Sequence, residues 1–258
     1  FFFKTTNSAI IETPYGGPIA KDNDEIILKS LILYHEKVSK SLMYYVNTSI
    51  KWNSDILKKL NYEISSKSRE VSLIKLCNNS DEQMIRLSKK KRWDINKAIK
   101  ENVEVSLSSR EVIKEYYSML SHAFKKFGKI PLPLLFYETL FEKLPEDMLN
   151  VYLAKHSGKT LSGMVILKWR KEAYYWNSVS TGESRHLQST SLLIWRAIEN
   201  LIDKNYNTLD LLGMSIKPVR EFKISFGGEI NSYNSFVKKS TMWRGAKQLK
   251  KPFIFFRK

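Results

Sequence analysis

The stretch AYYWNSVSTGESRHLQSTSLLIWRAIENLIDKNYNTLDLLG, residues 173–213, passes from a strand pattern to a helical one and back to a strand. Ala173 to Ser180 is rich in aromatic and β-branched residues, Gln188 to about Lys204 reads as a helix, and TLDLLG returns to a strand composition. Two strands joined through a helix in one sheet run parallel, with a right-handed crossover. Upstream, strands are predicted near Asn150 to Ala154 and Leu161 to Lys168. The short turns between these and Ala173 to Ser180 imply an antiparallel meander. A single sheet holding both strand directions is mixed and twisted.

The flanking segments extend this unit. SDEQMIRLSKKKRWDINKAIKENVEVSL reads as one helix from Ser80 to Glu101, with Ser80 as N-cap and acids in its first turn, followed by the strand VEVSL. A helix from Ser109 to Phe127 and a short one after Pro131-Leu132-Pro133 lead into the meander. A brief helix around Pro218 to Phe222 and a strand from Glu229 to Val237 follow it. The first 79 residues differ in pattern: AIIETPYGGPI (9–19) runs from a strand into a turn, and a helix is expected from Asp24 to Leu42. Its apolar stripe is Ile27, Leu31, Tyr34 and Val38, and MYYVNTSI and EVSLIKL read as strands. Two domains result, a partial one over 1–79 completed by 240–258, and a second over 80–239.

Composition narrows the partners. The chain has 258 residues, 43% of them hydrophobic, enough to bury one large core or two small ones. Lys+Arg at 43 against Asp+Glu at 26 leaves +17, which favours polyanions such as nucleic acid, phosphorylated intermediates or anionic membrane. The single cysteine, Cys77, excludes an internal disulfide and a multi-cysteine zinc site and fits a reducing, cytoplasmic setting. No apolar run approaches the ~20 residues of a membrane span. The start at Phe1 reads as a chain trimmed at its N-terminus.

Three further patches carry a family resemblance. RWDINKAIKENVEV (92–105), the helix and strand SLLIWRAIENLIDKNYNTLDLLGMS (191–215) and VREFKISFGGE (219–229) resemble, in order and spacing, the FemABX-like peptidyl and aminoacyl transferases, and PYGGPI is similar to a turn in that family's first domain. The order β, α, α, β, β, β, α, β, α, β is also that of GNAT acyltransferases. The resemblance implies an α/β (α+β) fold of two GNAT-like units, the first truncated, each a mixed twisted sheet flanked by helices. It implies transfer of an aminoacyl or acyl group to an amine, with no tightly bound cofactor and with aminoacyl-tRNA or acyl-CoA as co-substrate. The expected acceptor is a phosphorylated or lipid-linked cell-envelope precursor, met at the inner face of the membrane. In the family the helix opens with a small residue and an asparagine, where this chain has Ser189-Thr190. The family's strand ending of aspartate, aromatic and two glycines is here Asp210-Leu211-Leu212-Gly213.

Acyl transfer needs a deprotonated amine, close alignment, and positive or hydrogen-bonding groups at the developing oxyanion. His35, His122, His156 and His186 are scattered and form no Ser-His-Asp pattern, so direct attack by the acceptor amine is expected. Lys223, framed by Phe222 and Phe226 and followed by Gly227 and Gly228, is the leading catalytic candidate. Its alternative is a solvated lysine beside two core aromatics and a glycine turn. Asp210 could orient the amine or cap the turn after its strand. Arg92, Lys89 and Trp93 offer an anion grip with a stacking face on a helix that is otherwise a solvated cationic surface. Tyr116 and Tyr137 could line an acceptor cleft or pack a core. Ser189, Thr190 and Arg185 stand where helix amides could receive a donor, or where hydroxyls cap the helix. The tail MWRGAKQLKKPFIFFRK (242–258) has the composition of a peripheral membrane contact. An acyl-CoA-dependent N-acetyltransferase of amino sugars or small amines, and a non-catalytic RNA-binding protein, are the competing readings.

Overall fold

The computed structural model describes residues 5–7, 24–47, 55–65, 69–108, 110–126 and 128–241. The Pro-Tyr-Gly-Gly-Pro turn and the 242–258 tail lie outside them. The chain forms two compact units, one of residues 1–71 with 231–258 and one of residues 72–230. The divisions thus fall at 71/72 and 230/231, not at 79/80 and 239/240. The second division moves because the last predicted strand is two strands serving two different sheets.

The first unit holds β1 (Thr5–Asn7), α1 (Glu25–Ser39), β2 (Met43–Asn47), α2 (Asp55–Lys59) and β3 (Glu63–Ile64). A further strand, Ser235–Lys239, inserts antiparallel between β2 and β3, with Phe236 opposite Val46 and Ile64. Asp24 caps α1 by accepting from the Ile26 and Ile27 amides at 2.8 and 3.1 Å. Leu28 and Ile32 are the buried face of α1, packed with Tyr44, Val46, Leu57 and Phe236. The predicted stripe Ile27, Leu31, Tyr34 and Val38 is exposed. That is a correction: α1 has two apolar faces, and periodicity cannot say which one meets the sheet.

Strand β4 (Arg69–Lys75) crosses the division at 71/72 and leads into the second unit, where α3 (Ser80–Arg86) and α4 (Lys89–Lys100) follow. The single helix expected over Ser80 to Glu101 is two. Asn79, not Ser80, caps α3, and Ser88 caps α4 by accepting from the Lys91 amide at 3.1 Å. There follow β5 (Glu104–Ser108), α5 (Ile113–Lys126), α6 (Leu134–Lys143), β6 (Leu149–His156), β7 (Lys159–Trp169), β8 (Glu172–Ser180), α7 (Gly182–Leu187), α8 (Ser189–Asp203), β9 (Thr208–Gly213), α9 (Lys217–Ile224) and β10 (Glu229–Tyr233). Strand β11 is the Ser235–Lys239 strand of the first sheet. The seven-stranded order is β10-β4-β9-β8-β7-β6-β5, antiparallel from β5 to β8 and parallel between β8 and β9. The meander and crossover read from residues 149–213 are both present. The β6–β7 hairpin closes through Ser157 and Gly158 at φ 49° and 75°, the left-handed pair a two-residue turn requires.

Alternation along the strands builds two cores. Tyr152, Ala154, Met164, Ile166 and Ala173 meet α8 and α4, whereas Val151, Leu153, Val165 and Trp176 meet α5 and α6. Trp176 is an extra residue in β8, since Val165 pairs with Asn177 and Ile166 with Tyr175.

Candidate functional site

The site follows from how far β8 and β9 stay together. Their parallel ladder runs only from Glu172 opposite Thr208 to Tyr174 opposite Asp210, while β8 continues to Ser180 and β9 to Gly213. Beyond Tyr174 and Asp210 the strands diverge, leaving the backbone groups of Leu211, Leu212 and Gly213 without a β8 partner in that ladder. Leu212 sits at φ 59°, a left-handed conformation in which a side chain is strained. The Asp210 carboxylate accepts from the Leu212 amide at 2.6 Å and holds the bend. Asp210 thus acts on its own strand's turn, the capping alternative raised by its sequence.

Lys223 fills this opening from α9. Its Nζ donates to the Leu211 carbonyl and, at 2.9 Å, to the Gly213 carbonyl, and lies 5.4 Å from the Tyr175 ring centroid. The side chain is 8% exposed, so the solvated-lysine alternative does not describe it. Burial pulls its ammonium down to about 8, with Asp210 opposing the shift. An ammonium has three donors, and with two on carbonyls one remains for a ligand oxygen. Burial also pushes the Tyr175 phenol up to about 12, with a hydrogen bond to Ser178 opposing the shift.

The aromatic frame of Phe222 and Phe226 belongs to a different lysine. Lys91 Nζ stands 4.2 Å from the Phe222 centroid and 4.9 Å from that of Phe226, and the two rings meet edge to face at 5.3 Å. Lys91 is 4% exposed and donates to Asp94 Oδ2 and Ser191 Oγ, each at 2.9 Å. Burial lowers its pKa and Asp94 holds it up. This cluster ties α4, α8 and α9 together behind Lys223. The glycines after Lys223 are spaced for the protein itself. At Gly227, φ 78°, a Cβ would stand 2.6 Å from the Arg86 carbonyl oxygen, and at Gly228 it would overlap the Ser72 hydroxyl. Their amides are not left open to a ligand by the absence of side chains.

The other candidates disperse. Arg92, Lys89 and Trp93 lie on the outward side of α4; Arg92 donates to the Ile85 carbonyl at 3.2 Å, and Lys97 covers the Trp93 ring at 5.6 Å. Tyr116 and Tyr137 are fully buried in the α5–α6 core, Tyr116 donating to Asn177 Oδ1 at 3.0 Å and Tyr137 packed 5.8 Å from Trp176, so they line no open cleft. Ser189 is fully buried, its hydroxyl 2.7 Å from that of Ser184 and 2.9 Å from that of Ser162; Thr190 is 3.0 Å from Ser184. These hydroxyls satisfy one another at the start of α8, while Arg185 is exposed on α7. Lys91 and Tyr175 are the residues the sequence reading missed.

Residues 89–223, just over half of the chain, match the family model described as an acetyltransferase (GNAT) domain. No curated protein matches the sequence. Among solved structures, FemX is similar over 93% of this chain and 84% of its own, at 13% identity and a TM-score of 0.70. L-PGS from Bacillus licheniformis is similar over 89% and 77%, at 10% identity and 0.61. A tandem GNAT protein from the clavulanic acid biosynthesis pathway is similar over 83% and 70%, at 10% identity and 0.53. At these identities the likeness is one of fold, and the fold includes both units.

Proposed function

The chain belongs to the acetyltransferase (GNAT) domain family, and as an acyltransferase of that family we propose that it moves an aminoacyl or acyl group onto an amine of a cell-envelope precursor. The observation that carries this reading is Lys223, a buried cation with one donor to spare where β8 and β9 part. The acceptor amine, deprotonated, attacks the donor carbonyl. The carbonyl oxygen becomes an oxyanion facing Lys223 Nζ, a cation already fixed before the charge develops. Collapse breaks the ester or thioester bond, and the amine's proton leaves with the released alcohol or thiol. No protein nucleophile enters.

Aminoacyl-tRNA is the preferred donor, on the fold shared with FemX and the +17 charge, and the acceptor is a phosphorylated or lipid-linked precursor at the inner face of the membrane. The outward surface of α4, with exposed Lys89 and Trp93 beside half-buried Arg92, suits the phosphates of either. A second reading, acyl-CoA-dependent N-acetylation of an amino sugar or small amine, is favoured by the description of the matched family itself. Thermal melting with each donor separates them, because a ligand of the native state raises its Tm. A salt-sensitive rise with aminoacyl-tRNA and none with acetyl-CoA is expected; the reverse would replace the first reading with the second.

A further inference from the structure

The exposed side of α1 is composed unlike an ordinary solvated helix. Ile27, Leu31, Tyr34 and Val38 are 46, 41, 67 and 61% exposed and follow the i, i+4, i+7, i+11 spacing that aligns side chains into one stripe. Ile26 at 78% and Leu33 at 41% widen it. The exposed polar residues of the helix are Glu25, Lys29, Ser30 and Lys37, with Asp24 as its N-cap and Lys40 as its C-cap. The acids are engaged away from these lysines: Asp24 accepts from the Ile26 and Ile27 amides, Glu25 lies 3.4 Å from Lys59, and Glu36 accepts from Tyr62 and Lys238, each at 2.8 Å.

We propose that this face of α1 docks on an anionic lipid bilayer, its apolar stripe entering the interface and its lysines meeting the headgroups. Charge complementarity selects this occupant. A second copy would set cationic helix against cationic helix, and the chain's own tail, KKPFIFFRK, is basic as well. The net charge of +17 adds a salt-screened attraction toward the same surface. The docking is independent of the acyl-transfer reading, since it is measured without turnover.

The test is co-sedimentation of the full chain with phosphatidylcholine vesicles, with and without phosphatidylglycerol. Binding only to the anionic vesicles is expected, falling with salt, and Leu31→Glu/Tyr34→Glu is expected to weaken it at least about ten-fold. In an independent reading, a polarity-sensitive fluorophore at Tyr34→Cys, in a Cys77→Ser background, shifts to the blue on anionic vesicles. An unshifted label overturns the proposal, as does binding that ignores the α1 substitutions and is lost with Phe253→Ser/Phe255→Ser/Phe256→Ser. A chain that sediments as a dimer and becomes monomeric with Leu31→Glu also overturns it, in favour of a second copy.

Discussion

Lys223 donates to two carbonyls that the β8–β9 ladder leaves without a β8 partner, so its replacement tests the site with little loss of bulk. Lys223→Met keeps the length of the side chain and removes the charge. Turnover is expected to fall on the order of 10²- to 10³-fold, the scale of losing one preorganised oxyanion donor, with the circular-dichroism spectrum preserved. Its pH behaviour has a definite sign. The folded-state value of about 8 lies below the ordinary 10.5. Between these values the unfolded chain holds the proton and the folded chain has released it, so stability rises with pH across that window; below about 8 both states are charged and the penalty is constant. Urea midpoints at pH 7.5 and 9.5 should therefore rise more for the wild type than for Lys223→Met. As an oxyanion-holding cation, Lys223 should also impose a loss of rate above about pH 8 that Lys223→Met lacks. Gly227 gives a contrasting expectation. Gly227→Ala would strain a left-handed backbone and drive a Cβ against Arg86, costing about 2 kcal/mol or more, read as a lowered Tm.

At the scale of elements, the Lys91 cluster decides how α9 sits on α4 and α8. Removing one member leaves the other charge buried, so Lys91→Met and Asp94→Leu should each cost about 3–5 kcal/mol, and the double variant much less than their sum. Denaturant unfolding of the four proteins measures that coupling. The face of α4 was in part legible beforehand. Lys91, Ile95 and Ala98 recur at helical spacing and share the buried side, while Lys89, Lys90 and Arg92 do not. Within the run Lys89-Lys90-Lys91-Arg92, charge density drew attention to the outward residues, whereas position on the helix marks out the inward one. The break at Ser88 was equally available, as a serine able to cap a new helix three residues before the amide it binds. On α1, by contrast, two apolar faces competed, and nothing local distinguished Leu28 and Ile32 from Ile27 and Leu31.

At the scale of the molecule, the chain returns to its first unit after completing its second. β11 lies between β2 and β3, and Phe236 on it is fully buried. Phe236→Ala is expected to cost about 3–5 kcal/mol, and to lower the melting of the first unit more than that of the second. Calorimetry would resolve this as a shift of one transition relative to the other.

What the amino-acid sequence determined by itself is the ladder of local elements in residues 149–213: alternation of period two, turn residues at the hairpin, one helix between parallel strands, and hence a mixed sheet. These rest on contacts near in sequence, where side-chain period and turn chemistry suffice. What only the tertiary structure decided depends on partners far apart in the chain. Residues 229–237 read as one strand because each half has strand composition, and they divide because two sheets offer two separate edges. Phe222 and Phe226 frame Lys91 instead of Lys223 because adjacency on a helix turns side chains apart, while a residue more than 120 positions earlier arrives on a packed helix. Lys223 reaches the parting of β8 and β9 for the same reason: its partners are backbone carbonyls, which every residue carries and no sequence pattern announces.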